Sequence, residues 1–469
     1  MCGTGFQPAG GRARKNTGTD HAHFILLTAI GRAARTTYMR YLPIDKNLFI
    51  ENRRRLAELM PPKSLAILQA NDIMPTNADG TMGFRQSSDL FYLSGVDQEE
   101  TILLLFPDHP DEKFREVLFV RETNEHIAVW EGEKLTKEQA QEVSGIQTIH
   151  WTHHYESIMR LIVFEAERVY LNTNEHTRNE SPVQTRDARF IREFKERYPL
   201  HTLARLAPLM HQVRAIKQPQ EVELLQTACD ITQKGIERLL KFVRPGVMEY
   251  EIEAELLHEF IRNRSRGFAY TPIIASGANA CVLHYIQNNQ PCKDGDVILL
   301  DVGAEYANYG ADLTRSIPVN GRFTKRQRAV YDAVLRVFKY AKSRLVTGNV
   351  WDEYHLEVGA VMEKELVDLG LLSKEDIANQ NPELPAYKKY FPHGTSHFLG
   401  LDVHDVGNKY RRFEPGMVFT CEPGIYIREE GLGIRLENDI LITHDGNQDL
   451  MGHIPIEAEE IEDLMNSQG

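Results

Sequence analysis

The chain has 469 residues, 42% of them hydrophobic and 26% charged. This is the balance of a soluble globular protein, and the length exceeds what one ordinary core uses, so two domains are expected. Its 67 acidic and 54 basic residues leave a net charge of -13, which argues against a nucleic-acid-binding surface or a polybasic membrane contact.

Residues 1–38 differ from the rest, carrying five Lys/Arg against one acid, Asp20. Three readings compete: an upstream extension outside the native start, a disordered tail, or an organelle transit peptide. The stretch is treated as outside the fold. Phe24 to Ile30 is far shorter than the roughly 20 apolar residues of a membrane span. Five scattered cysteines, with no CxxC pair, argue against a disulfide framework or cysteine zinc site and point to a reducing, cytoplasmic setting.

From Met39 to residue 215, strand-like runs (65–69, 101–106, 117–120, 168–171) alternate with helical patterns (48–60, 136–142, 155–165). That alternation predicts an N-terminal α/β domain with a mixed sheet. Pro219 stands where a helix starts, and an amphipathic helix is predicted from there to about Phe242. A second helix (249–266) follows, then strands at 272–276, 297–306 and 312–318. The order then recurs, with helices at 324–346 and 352–369 and strands across 400–443, so residues 216–469 read as two similar halves of an α+β domain. Residues 373–390 are predicted to form a surface loop.

Two acids interrupt this second region where strands disfavour them: Asp301 closing an aliphatic run, and Asp312 eleven residues on. On paired antiparallel strands they would share a face and repel unless a proton or cation separated them. Alone the pair is weak, since one acid per hairpin at a turn or surface is the commoner arrangement. The segment FPHGTSHFLGLDVHD is more specific. It groups His393, His397 and His404 within twelve residues, flanked by glycines that admit close approach. Glu422 and Glu437 follow in apolar, strand-like surroundings, where an unpaired charge is costly. Four carboxylates and an imidazole make an oxygen-rich donor set suited to two Mn²⁺, Co²⁺ or Zn²⁺ ions.

HGTSHFLGLDVHD, CEPGIYI and GIRLEND, with LLDVGAEY and YGADLTR, resemble the metal-dependent aminopeptidase P and prolidase family, from Met39 to the C-terminus. The resemblance implies a pita-bread catalytic domain and an enzyme that releases the first residue from peptides with proline second. It makes Asp301, Asp312, His397, Glu422 and Glu437 the ligands of two divalent ions, Mn²⁺ preferred, with Asp312 and Glu437 bridging. Glu422 would shuttle a proton, and His284 and His404 would hydrogen-bond the substrate carbonyl. His393 would line the pocket after the scissile bond, and Arg435 and Thr314 would orient the carboxylates. A homodimer or homotetramer is implied. FRQSSDLFYLSG and AVWEGEKLT look more like bacterial Xaa-Pro aminopeptidases than prolidases, although Phe91 stands where those enzymes often carry Trp. The rivals are an Xaa-Pro dipeptidase and a non-catalytic binding module on this fold, whose members have lost ligands that are present here.

Overall fold

The computed structural model describes residues 40–467; the basic stretch 1–38 lies outside the described residues. The helix Asn47–Leu59 leads into a six-stranded sheet of β1 (Ser64–Gln69), β2 (Ile102–Leu105), β3 (Glu116–Val120), β4 (Thr148–Trp151), β5 (Arg168–Leu171) and β6 (Thr202–Arg205). Its spatial order is β4-β3-β2-β1-β5-β6. The β1–β2 and β2–β3 pairs are antiparallel, and β3–β4, β1–β5 and β5–β6 are parallel, so the sheet is mixed as the alternation predicts. The β1 run SLAILQ is buried throughout, the pattern of a central strand covered on both faces. Phe91 is buried in the short helix Ser88–Ser94 and meets Phe49 edge-on at 5.9 Å.

The helix Pro219–Phe242 opens the second region with Pro at its first position and Glu221 closing a capping box. After the helix Glu249–Arg262 come β7 (Ile273–Ser276), β8 (Val297–Val302), the two-residue strands β9 (Glu305–Tyr306) and β10 (Tyr309–Gly310), and β11 (Leu313–Pro318). Helices Lys325–Arg344 and Trp351–Asp368 repeat the pattern, and β12 (Val418–Cys421), β13 (Gly424–Ile427), β14 (Leu432–Arg435), β15 (Asn438–Thr443) and β16 (Gly446–Asp449) complete it. The recurring order of two helices then antiparallel strands is therefore present.

Two segments differ from expectation. No strand occupies 400–417, because glycines and a run of polar residues there give turns, and the first strand of the second half begins at Val418. The expected loop 373–390 contains the helix Lys374–Ala378, capped by Ser373, and a turn that buries Tyr387.

The two strand systems meet at one place. β11 pairs with β8 so that Thr314 faces Asp301, and Thr314 also bridges to Glu437 between β14 and β15. Continuing the register puts Gly303 opposite Asp312. A Cβ at Gly303 would lie 1.8 Å from the Ala311 carbonyl oxygen, so only glycine allows the backbone approach that sets Asp312 diagonally across from Asp301. Among the described residues no helix is long and apolar enough to cross a membrane, and Cys229, Cys281, Cys292 and Cys421 are buried free thiols.

Candidate metal centre

Asp301 is the penultimate residue of β8, Asp312 precedes β11, Glu422 follows β12 and Glu437 lies between β14 and β15, so strand ends from both halves supply the acids. Donor atoms of Asp312, His397 and Glu437 all fall within 4.8 Å of one another. His397 Nε2 is 3.4 Å from Asp312 and 3.8 Å from Glu422. Its Nδ1 is 2.9 Å from the Phe398 carbonyl, a bond that assigns the proton to Nδ1 and leaves Nε2 facing the carboxylates.

The charge balance is the decisive physical fact. Asp312 and Glu437 are buried, and Asp439, fully buried, adds a further acid by accepting from the Asp312 backbone N–H at 3.0 Å. Burial, with the neighbouring acids, pushes Glu437 well above the usual carboxylate range. Burial also lifts Glu422 to about 7, although His397 and Arg435 work against it. Burial opposes charge on His397, but Asp312 and Glu422 outweigh this and raise the imidazole to about 9. Such a cluster, with one arginine and one histidine against five acids, is stable only with protons or cations among the carboxylates. The oxygen-rich donor set with one imidazole fits divalent ions.

Arg435 organises one flank. Its guanidinium donates to Asp301, to Thr314 Oγ1 at 3.0 Å and to Tyr426 Oη at 2.8 Å. Thr314 in turn donates to Glu437 Oε2 at 2.6 Å. Tyr426 Oη lies 2.8 Å from His393 Nε2, while His393 Nδ1 is 2.8 Å from the Gly394 carbonyl. Burial and the nearby Arg435 depress His393 to about 3, so it is neutral and receives the tyrosine proton at Nε2. His284 is exposed on the turn after Gly277–Cys281, close enough to add to that depression. On the opposite flank the His404 ring stands 4.5 Å from that of His397, nearly perpendicular. All ten residues singled out from the sequence thus gather in one region.

Four contributors were not read from the sequence. The Tyr270 hydroxyl lies 2.5 Å from Asp301 and 2.6 Å from Asp312. Tyr426 relays between Arg435 and His393. Arg178, from the loop after β5, reaches His404 Nε2 at 2.8 Å. Arg214, buried near the end of the helix Ala207–Ala215, bonds Asp89, Asp402 and Asp405, clamping the segment that carries His404. The carboxylates of LDVHD were the available signal for Arg214; a tyrosine fourteen residues before His284 gives none.

The model of the aminopeptidase P N-terminal domain matches residues 49–170, and that of metallopeptidase family M24 matches residues 223–444. An Xaa-Pro aminopeptidase of Haemophilus influenzae is 37% identical over 441 residues, 92% of this chain and 99% of the relative. The chain belongs to the aminopeptidase P family of M24 metallopeptidases. Within that family, an Escherichia coli Xaa-Pro aminopeptidase is 35% identical across 90% of this chain and 98% of its own length. A mouse Xaa-Pro dipeptidase is 30% identical, across 90% and 94%. Among solved structures, Escherichia coli aminopeptidase P with the inhibitor Pro-Leu superposes with a TM-score of 0.81 at 34% identity, covering 91% of this chain and 99% of that one. Proline aminopeptidase P II from Yersinia pestis gives 0.80 at 34% identity, covering 90% and 100%. The family's pita-bread fold with its N-terminal domain is therefore the fold of this chain.

Proposed function

We propose that this protein is a metal-dependent Xaa-Pro aminopeptidase, removing the first residue from peptides whose second residue is proline. The observation that carries the reading is the set of four acids and one histidine, Asp301, Asp312, His397, Glu422 and Glu437, converging from both halves of a family M24 fold. These five residues would hold two divalent ions, with Mn²⁺ preferred. When bound, the ions supply a nucleophilic hydroxide at neutral pH and polarise the scissile carbonyl.

The chain's own groups do the rest. Glu422, held near neutrality by burial, takes a proton and returns it to the departing proline nitrogen. His404 and His284 donate hydrogen bonds to the substrate carbonyl and to the oxyanion that develops on it. Arg435 and Thr314 fix the carboxylates, and Tyr270 spans Asp301 and Asp312. His393, packed at 4.8 Å against Phe391 and 5.5 Å from Tyr426, offers an aromatic wall that suits a proline ring. Location in the cytoplasm and assembly as a homodimer or homotetramer belong to the same reading, supported by its likeness to bacterial relatives.

The test compares Xaa-Pro-Yaa, Xaa-Ala-Yaa and the dipeptide Xaa-Pro with added Mn²⁺. Release of Xaa from the first peptide alone supports the proposal. Turnover confined to the dipeptide replaces it with a dipeptidase, and no turnover of any peptide leaves a binding module.

A further inference from the structure

His404 also lines a polar cavity of about 440 Å³ formed largely by residues of the N-terminal half. Its floor holds Asn172, which is 7% exposed. The Asn172 Nδ2 donates to Asp89 at 2.9 Å, but its buried Oδ1 has no hydrogen-bond partner among the described residues. A carbonyl left so is an acceptor aimed at something that is not part of the fold.

The charges of the cavity point the same way. Arg214 is spent on Asp89, Asp402 and Asp405, Arg178 on His404, and Glu175 on Arg205. Among the described residues Asp187 remains without an ion pair. Burial and then Asp89 raise its carboxyl to about 7, with Arg186 opposing and Asp72 adding to the rise, a cost that a further cation would relieve. An acid in the first turn of the helix Arg186–Arg197 suits the helix dipole. That accounts for Asp187 but not for the unpartnered amide of Asn172, which lines the same cavity.

The flank of the metal centre decides the occupant. On the reading proposed above, the aromatic side formed by His393, Phe391 and Tyr426 takes the proline ring. The side chain of the residue before the scissile bond is then left to the His404 side. We infer that this cavity receives the side chain of the substrate's first residue, and that Asp187 and the Asn172 carbonyl select a cationic or hydrogen-bond-donating one, such as lysine or arginine. Both groups accept hydrogen bonds, and a lysine ammonium offers three donors.

Steady-state kinetics with the full chain and Mn²⁺ would compare Lys-Pro-Yaa, norleucine-Pro-Yaa and Glu-Pro-Yaa, norleucine matching the lysine stem without its charge. The expected result is a preference of about tenfold for lysine over norleucine, carried in KM, the size of a partly desolvated charge contact. Asp187→Asn should shrink that ratio severalfold, and Asp187→Lys should shift preference towards the glutamate peptide. A lysine-to-norleucine ratio near one, or one unchanged in both variants, overturns the assignment. Failure to cleave any proline peptide is a different result: it removes the proposed function on which the pocket rests, and the pocket assignment with it.

Discussion

Arg178 reaches from the loop after β5 to hydrogen-bond His404 Nε2 at 2.8 Å, joining the two halves of the chain at the metal centre. A guanidinium can only donate, so His404 accepts at Nε2 and carries its proton on Nδ1. Partial burial, His397 and Arg178 all hold the ring below its ordinary pKa, keeping it neutral. A neutral ring with one fixed tautomer is a defined hydrogen-bond partner for a substrate carbonyl.

Removing that orientation should therefore cost activity without costing the fold. Arg178 is exposed, so Arg178→Ala should unfold like the parent, while kcat/KM for an Xaa-Pro-Yaa peptide falls by about 10- to 100-fold. Circular dichroism melts beside steady-state kinetics would check it. An unchanged kcat/KM would mean that His404 is oriented by other groups or plays no part in turnover.

Glu422→Gln separates proton transfer from packing. The amide keeps the shape of a side chain set within a largely buried site but cannot exchange a proton. A loss of kcat of about 10²- to 10⁴-fold, with an intact thermal transition, is the outcome for a general acid–base. If metal content, measured by plasma emission spectrometry, falls together with kcat, Glu422 acts as a ligand as well. Full activity would exclude the shuttle role.

Metal and pH should act against each other on stability. Glu422 is raised from 4.5 to about 7 and His397 from 6.5 to about 9. For each, the folded state binds its proton more tightly than the unfolded chain does, so its stabilisation is complete below the lower value and lost as pH rises through the upper one. The chelated protein should accordingly melt at progressively lower temperature between about pH 5 and about pH 9 on account of these groups. Ligation requires both groups deprotonated, so Mn²⁺ should raise the melting temperature far more at about pH 8 than at about pH 5.5. Scanning calorimetry with EDTA or Mn²⁺ at each pH would decide. An Mn²⁺ effect that does not grow with pH would contradict ligation by these groups.

Much of this centre was legible in the sequence because charge in apolar strands is costly and therefore conspicuous. Asp301 interrupts an aliphatic run, Glu422 and Glu437 fall in strand-like segments rich in apolar residues, and three histidines share twelve positions. The mixed first sheet was legible for a related reason, since β1, β2, β3 and β5 are short apolar runs with no competing helical period. What stayed hidden depends on chain pairs far apart in sequence. Arg178 and His404 are 226 residues apart, and Tyr270 and Asp312 are 42 apart. Nothing local marks Arg178 among its polar neighbours in the loop, or Tyr270 as different from any aromatic before a strand. The missing strand at 400–417 has the same origin: there the chain is shaped by what it must reach, with Asp402 and Asp405 turned towards Arg214 instead of towards a strand partner.

That reach makes Arg214 a residue whose loss should damage stability strongly. It is 4% exposed and meets Asp89 at 2.8 Å, Asp402 at 2.7 Å and Asp405 at 2.5 Å, while Lys217 meets Asp405 at 3.0 Å. Burial opposes the charge of Asp405, but Arg214 and then Lys217 outweigh it and hold the carboxyl below its ordinary value. Arg214→Met keeps the stem and removes the charge, leaving Asp405 buried with Lys217 alone, an arrangement that costs about 3–5 kcal/mol. A group whose pKa is depressed on folding stabilises above its unfolded value and ceases to as pH falls through its folded one. The deficit of Arg214→Met should therefore be full near neutrality and narrow as pH is lowered into the acid range, because Asp405, without Arg214, takes up its proton earlier in the variant than in the parent. Melting temperatures of the two proteins across that range would test it. A deficit of constant size would show that Arg214 stabilises by packing, and the charge network would then be incidental.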